Sequence, residues 1–255
     1  VRFHLSLSLF LFLFFSSPTI AQIVNIEELR IKGTSDSVRW YGHLRGSANI
    51  IQVQDLNISL NFNGKIQYKR EPDLFILLAN TDLLRVGTKD GIRRNFIHFR
   101  YNRKLTEIWT AEVFSQAQTD VVRQLRDRIL FGMGGRLRAF KSEDGRQRLY
   151  LGAAYMWEEN HFLEEPHITN WHRISTYASI TLRAGTRNML VGTTYYQPIL
   201  SEISNYRFST DWLLKLGITS KLAFTVDFAW SIDQNLPPSA ARSVYSWKNG
   251  LIWQF

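Results

Sequence analysis

Hydrophobic and polar residues alternate with a period of two along most of the chain, the signature of strands rather than helices. The pattern is sharpest at residues 222–233. There Leu222, Phe224, Val226, Phe228, Trp230 and Ile232 share one face, opposite Ala223, Thr225, Asp227, Ala229, Ser231 and Asp233. Residues 56–68 read the same way, with Leu56, Ile58, Leu60, Phe62, Ile66 and Tyr68 against Asn57, Ser59, Asn61, Asn63, Lys65 and Gln67. Followed throughout, the alternation predicts about twelve strands. Their centres lie within 38–50, 56–68, 73–84, 95–105, 108–118, 126–140, 148–158, 171–183, 188–196, 206–218, 222–232 and 243–255. The third is apolar on both faces and the ninth is weak, so neither has a readable parity.

Soluble sheets usually have strands of about five or six residues. Strands that cross a bilayer need about 9–11 at their tilt. The lengths here predict an all-β fold, a transmembrane antiparallel up-and-down β-barrel. Connections also alternate. Short turns are expected at 69–72, 106–107, 141–147, 184–187 and 219–221, and longer loops at 85–94, 119–125, 159–170, 197–205 and 234–242, as between the two sides of an outer membrane. The last strand carries Tyr245, Trp247, Leu251, Trp253 and Phe255 on one face. Trp247, Leu251, Trp253 and Phe255 are the expected assembly signal, read by the barrel-assembly machinery, and the first strand is the expected closing partner.

Arg2, the apolar run Leu5–Phe15 and the small residues Thr19 and Ala21 predict a secretory signal peptide over residues 1–21. Residues 22–255 then form one barrel domain. The chain has no Cys, and its 31 Lys+Arg exceed its 22 Asp+Glu. For an exported chain this basic balance points to lipopolysaccharide phosphates and other outer-membrane lipids rather than nucleic acid. No oligomeric state can be read from the pattern, and no cofactor or metal motif is present.

Several stretches resemble one family. These are Phe96-Ile97-His98-Phe99-Arg100-Tyr101-Asn102-Arg103-Lys104-Leu105, Ala111–Gln118, the Arg-rich sixth strand, Tyr195-Tyr196-Gln197-Pro198 and Asn249-Gly250-Leu251. They are similar to the salt-induced outer-membrane protein family, exported barrels with a domain of unknown function. The resemblance implies an outer-membrane barrel linked to salt or envelope stress, and it brings no catalytic residues.

The candidate chemistry is a lumenal polar cluster: Asn80, Asp82, His98, Arg100, Glu112, Gln116, Arg126, Arg128, Arg136 and Arg138. A turn centred on Leu105 would set His98 opposite Glu112, with Arg100 diagonal to Glu112, Asn80 and Asp82 nearby, and Arg126 and Arg128 facing Gln118 and Gln116. Arg173, Arg183, Arg207, Lys215 and Lys248 are also expected to point inward, with Glu158, Asp211 and Asp227. Such a cluster either binds an anion, moves a proton, or fills the interior with ion pairs. Twelve tilted strands enclose an opening of about 12–14 Å once side chains are allowed for. An unfilled lumen would therefore be an anion-preferring channel, and a filled one a structural envelope barrel.

Two surface features complete the reading. Residues 158–167 concentrate carboxylates and imidazoles in an expected external loop, without a metal-ligand spacing. Arg85, Lys89, Arg93, Arg94 and Arg123 are loop cations suited to lipopolysaccharide phosphates. The alternatives are an enzyme modifying outer-membrane lipid or lipopolysaccharide, or a scaffold for a partner in an envelope complex. Neither His43, His98, His161, His167 nor His172 has a Ser two residues away on its strand face, so no lipase-like pair is apparent.

Overall fold

The computed structural model describes residues 39–52, 55–164 and 168–253. The leader-like segment 1–21, Val38, His167 and Phe255 lie outside the described residues. Twelve antiparallel strands follow one another in sequence order, each hydrogen-bonded to the next. They are β1 (Trp40–Gln52), β2 (Leu56–Arg70), β3 (Asp73–Val86), β4 (Lys89–Lys104), β5 (Trp109–Asp120), β6 (Leu125–Lys141), β7 (Arg148–Phe162), β8 (Ile168–Ala184), β9 (Asn188–Ile199), β10 (Glu202–Gly217), β11 (Leu222–Asp233) and β12 (Ser243–Trp253). This is the up-and-down architecture that the alternation predicts. A 3-10 turn, Val121–Arg123, links β5 to β6.

The sheet curls so that one face is enclosed. Alternate residues of β4 and β5, among them His98, Arg100, Asn102, Glu112, Phe114 and Gln116, are buried, while Ile97, Phe99 and Val113 between them are exposed. The two strands without readable parity resolve. Ile76 and Leu78 of β3 face inward with Leu77 exposed, and β9 turns Val191, Thr193, Tyr195, Gln197 and Ile199 inward. The outer face is apolar, with Leu44, Phe62, Ile66, Phe131, Met133, Leu151 and Leu251 all exposed. Aromatic residues pack against one another across strands near its ends. Trp40 meets Tyr68 at 4.7 Å between ring centroids, and Phe75 meets Tyr101 at 4.9 Å. At the opposite end Phe208 meets Trp230 and Phe131 meets Trp157.

Three expectations are corrected. Among the described residues no ladder joins β1 to β12, so the sheet is curled but not closed, and β1 is exposed along almost its whole length. Loop lengths do not alternate as expected, because residues 85–94 and 197–205 are mostly strand. Gly87, at φ +60°, lets β3 turn into β4 through residues 87–88 alone. A bulge between Glu202 and Tyr206 absorbs the extra residues of β10. Finally, residues 158–162 belong to β7 rather than to a loop. The one long connection, 234–242, folds inward: Leu236 and Ala240 are buried against Leu125 and Phe162. It caps the end of the enclosed space where β6 starts and β7 ends.

Candidate functional site

The enclosed face carries two layers of charge. Alternation delivers Arg128 from β6, Glu158 from β7, Arg173 from β8, Arg207 from β10 and Asp233 from β11 to one level. Glu158, Arg173 and Asp233 are 0% exposed. Arg207 bridges the two carboxylates. Its Nη1 lies 3.0 Å from Glu158 Oε2 and its Nε 3.0 Å from Asp233 Oδ2. Arg173 Nε donates to Glu158 Oε1 at 2.9 Å, and Arg128 Nη2 lies 3.3 Å from Asp233. Arg128 also donates to the Asn160 side chain. Above this layer, Arg123 of the 3-10 turn donates to Ser231 at 2.6 Å and lies 3.7 Å from Asp120, which Arg94 also approaches at 3.3 Å. Burial pulls the Arg123 guanidinium below its usual range, against the opposing pull of Asp233 and Asp120.

The second layer centres on Glu112 of β5. Arg100 Nη1 lies 3.4 Å from it, Arg136 Nε 3.7 Å, and Tyr177 donates its hydroxyl at 2.8 Å. Arg136 also lies over the Tyr150 ring, 4.5 Å from its centroid. Glycines make room for this layer. An added Cβ at Gly132 would sit 2.2 Å from the Phe114 ring, and at Gly152 2.1 Å from Tyr177. Below lies an open vestibule of about 250 Å³ between the turn before β3 and the start of β5, lined by Lys69, Asp73, Lys104, Glu107, Thr110 and Arg138. There Lys104, at 2.7 Å, and then Arg138 hold the Glu107 carboxyl below its ordinary range.

Between the layers is a cavity of about 30 Å³, enough for a water molecule or two. Arg100, Arg128, Arg207, His98, Gln116, Gln118 and Gln197 contribute to its wall, and no carboxylate does. His98 stacks between Phe96 and Phe114, shares a hydrogen bond with Gln116 through Nδ1, and leaves Nε2 without a partner.

The structure therefore places the sequence candidates as follows. His98, Arg100, Glu112, Gln116, Arg128 and Arg136 are buried inside. Register differs from expectation: His98 faces Gln116 and Leu78, and Glu112 faces Asn102. The cause is the connection 105–108, where Thr106 Oγ1 accepts from the backbone of Ile108 and Trp109 and moves the turn's centre beyond Leu105. Arg100 is still diagonal to Glu112. Asn80 accepts from Asn63 rather than approaching His98, and Asp82 lies opposite Arg94.

Arg126 is not inside. The register shift between Leu125 and Asp127 turns it outward, where it meets Asp127 and His161. Arg138 lies at the vestibule rim with Glu107, and Arg183 is exposed. Arg123, expected to be a surface cation, is buried. Trp247, Leu251 and Trp253 are exposed on the outer face. The Lys89 side chain and Phe255 lie outside the described residues. Sequence reasoning overlooked Asp120, Asn160 and Asp233 as site residues. Strand parity alone marks Asp233 as inward.

Among the described residues, seven cations are buried, namely Lys65, Arg100, Arg123, Arg128, Arg136, Arg173 and Arg207. They outnumber the four buried carboxylates, Glu112, Asp120, Glu158 and Asp233. The arrangement can fill a lumen with ion pairs and leaves it electropositive.

A family model described as a protein of unknown function, DUF481, matches residues 57–253. Among solved structures, a NanC porin in a rhombohedral crystal form is similar. Sequence identity is 11% and the TM-score 0.48, over 85% of this chain and 98% of that one. No curated protein matches.

Proposed function

We propose that this chain, which belongs to the DUF481 family, is a non-enzymatic outer-membrane β-barrel whose interior is sealed by ion pairs. The sealing layer carries the reading: Glu158, Arg173 and Asp233 have no exposed surface, and Arg207 ties them together. The membrane setting is supported by strands of 11 to 17 residues with an exposed apolar face, the pattern that lipid favours. The leader-like start, lipopolysaccharide and outer-membrane lipids as neighbours, insertion by the barrel-assembly machinery, and a role in salt or envelope stress belong to the same proposal. Its barrel would be completed by pairing β1 with β12.

A second reading, an anion-preferring channel, is favoured by the excess of buried cations over carboxylates. It requires the Arg207–Glu158 contact to open. Recordings of the refolded protein in planar bilayers separate the two. The sealed barrel gives no steady current at neutral pH. A steady anion-selective current from the unmodified protein favours the channel, and a cation-selective one contradicts both. An enzyme acting on lipid would instead change envelope acyl chains or headgroups in mass spectra taken with and without the protein.

A further inference from the structure

We propose that the cavity between the two charge layers is a binding site for one small monatomic anion of chloride size. The inference rests on the sealed-barrel reading, since an anion in an open pore would exchange freely with water.

Charge balance is the first support. A buried charge left uncompensated is strongly unfavourable, because the interior cannot screen it as water does. Among the described residues, the buried side chains carry three more positive than negative charges. Half-buried inward groups do not reverse the excess, since Asp82 and Asp211 are accompanied by Arg94, Lys215 and Lys248. A counter-ion inside relieves it.

The wall is the second support. Arg100, Arg128 and Arg207 line this one cavity from three strands, with His98 beside them and no carboxylate in the lining. All four side chains are buried. The guanidinium groups also hold Glu112, Asp233, Glu158 and Asn160 in place around the cavity.

The third support is the vacant ring nitrogen. His98 Nε2 is buried and without a partner. His98, Gln116 and Gln118 form a chain of hydrogen bonds. Turning both amides reverses its direction and moves the imidazole proton to Nε2, because the two ends of an amide and the two imidazole nitrogens exchange roles. The Gln197 amide, beside the same cavity and bonded through Nε2 to Ser175, can turn its NH2 inward in the same way. The cavity then offers donors all round. At about 30 Å³ it is large enough to admit a halide.

Bromide is the probe. Crystals of the refolded protein grown in bromide are expected to show an anomalous peak in this cavity, within contact of the Arg100, Arg128 and Arg207 guanidinium groups. A water-filled or empty cavity under the same conditions overturns the proposal. In solution, the melting temperature should be higher in chloride or bromide than in methanesulfonate at equal ionic strength, because a ligand stabilises the state that binds it. Gln118→Glu supplies the negative charge covalently and should abolish that difference while keeping the folded electrophoretic mobility; an undiminished halide effect in this variant counts against the site. Failure of the sealed-barrel reading appears elsewhere, as steady conductance, and leaves the bromide result readable.

Discussion

Arg207 on β10 reaches past two intervening strands to grip Glu158 on β7 with both terminal nitrogens, Nη1 to Oε2 at 3.0 Å and Nη2 to Oε1 at 3.2 Å. Both side chains are buried, so removing Arg207 leaves Glu158 with Arg173 and Asp233 with Arg128 as their remaining buried partners. Arg207→Met is expected to destabilise the fold by about 3–5 kcal/mol. Adding Glu158→Gln to Arg207→Met should cost less than Glu158→Gln costs alone, since the pair acts as a unit. Urea unfolding in lipid vesicles, followed by tryptophan fluorescence, measures both, and strictly additive losses would argue against the contact.

Gly134 sits where β6 presses on β7. A Cβ there would lie 2.1 Å from the Ala153 carbonyl oxygen, a backbone atom that cannot swing aside. Gly46 on β1 has nothing within 4 Å of the same construction. Gly134→Ala should therefore cost about 1–3 kcal/mol or more through overpacking, while Gly46→Ala should assemble normally. Yields of heat-modifiable folded protein compare the two.

Met133 is 61% exposed in the middle of β6. On a water-soluble protein Met133→Arg would be close to neutral. On a lipid-facing strand it should cost about 2–4 kcal/mol near the bilayer midplane. Stability measured in bilayers of fixed thickness decides between these outcomes, and a neutral result would remove the membrane setting.

Leu236 anchors the inward-folded connection 234–242 against Leu125, Phe162 and Ala240. Leu236→Ala should cost about 2–5 kcal/mol if the neighbours cannot collapse into the gap, and less if they can. It should also speed cleavage of this connection by added protease, with the strands left intact. Unchanged cleavage would mean that the cap is not held by this side chain.

The fold was more legible in the sequence than the site. A period of two says which side chains share a face, and β11 and β2 display it without interruption, so the twelve strands and most inward residues follow from pattern alone. Register is set by turns and bulges, whose geometry the pattern does not contain. Thr106 reorganises residues 105–108 and moves His98 from Glu112 to Gln116. The shift at Leu125 and Asp127 expels Arg126 from an otherwise regular inward series. The sealing layer is harder still to read. Arg128 and Asp233 meet at 3.3 Å although 105 positions separate them. Nothing local to β6 or β11 records that contact. The seam between β1 and β12 shows the converse: their alternation matches, yet no ladder joins them among the described residues.

The central claim, a lumen closed at the level of Arg207 and Glu158, is tested most directly by thiol accessibility, because the chain has no cysteine to interfere. Ser209 is 0% exposed, two residues along β10 from Arg207, and Thr110 lines the open vestibule. Single Ser209→Cys and Thr110→Cys variants are reconstituted in vesicles and treated with a charged, membrane-impermeant maleimide. The account predicts ready labelling at position 110 and almost none at 209 until the protein is unfolded. Labelling at 209 as fast as at 110 in the folded protein would contradict it.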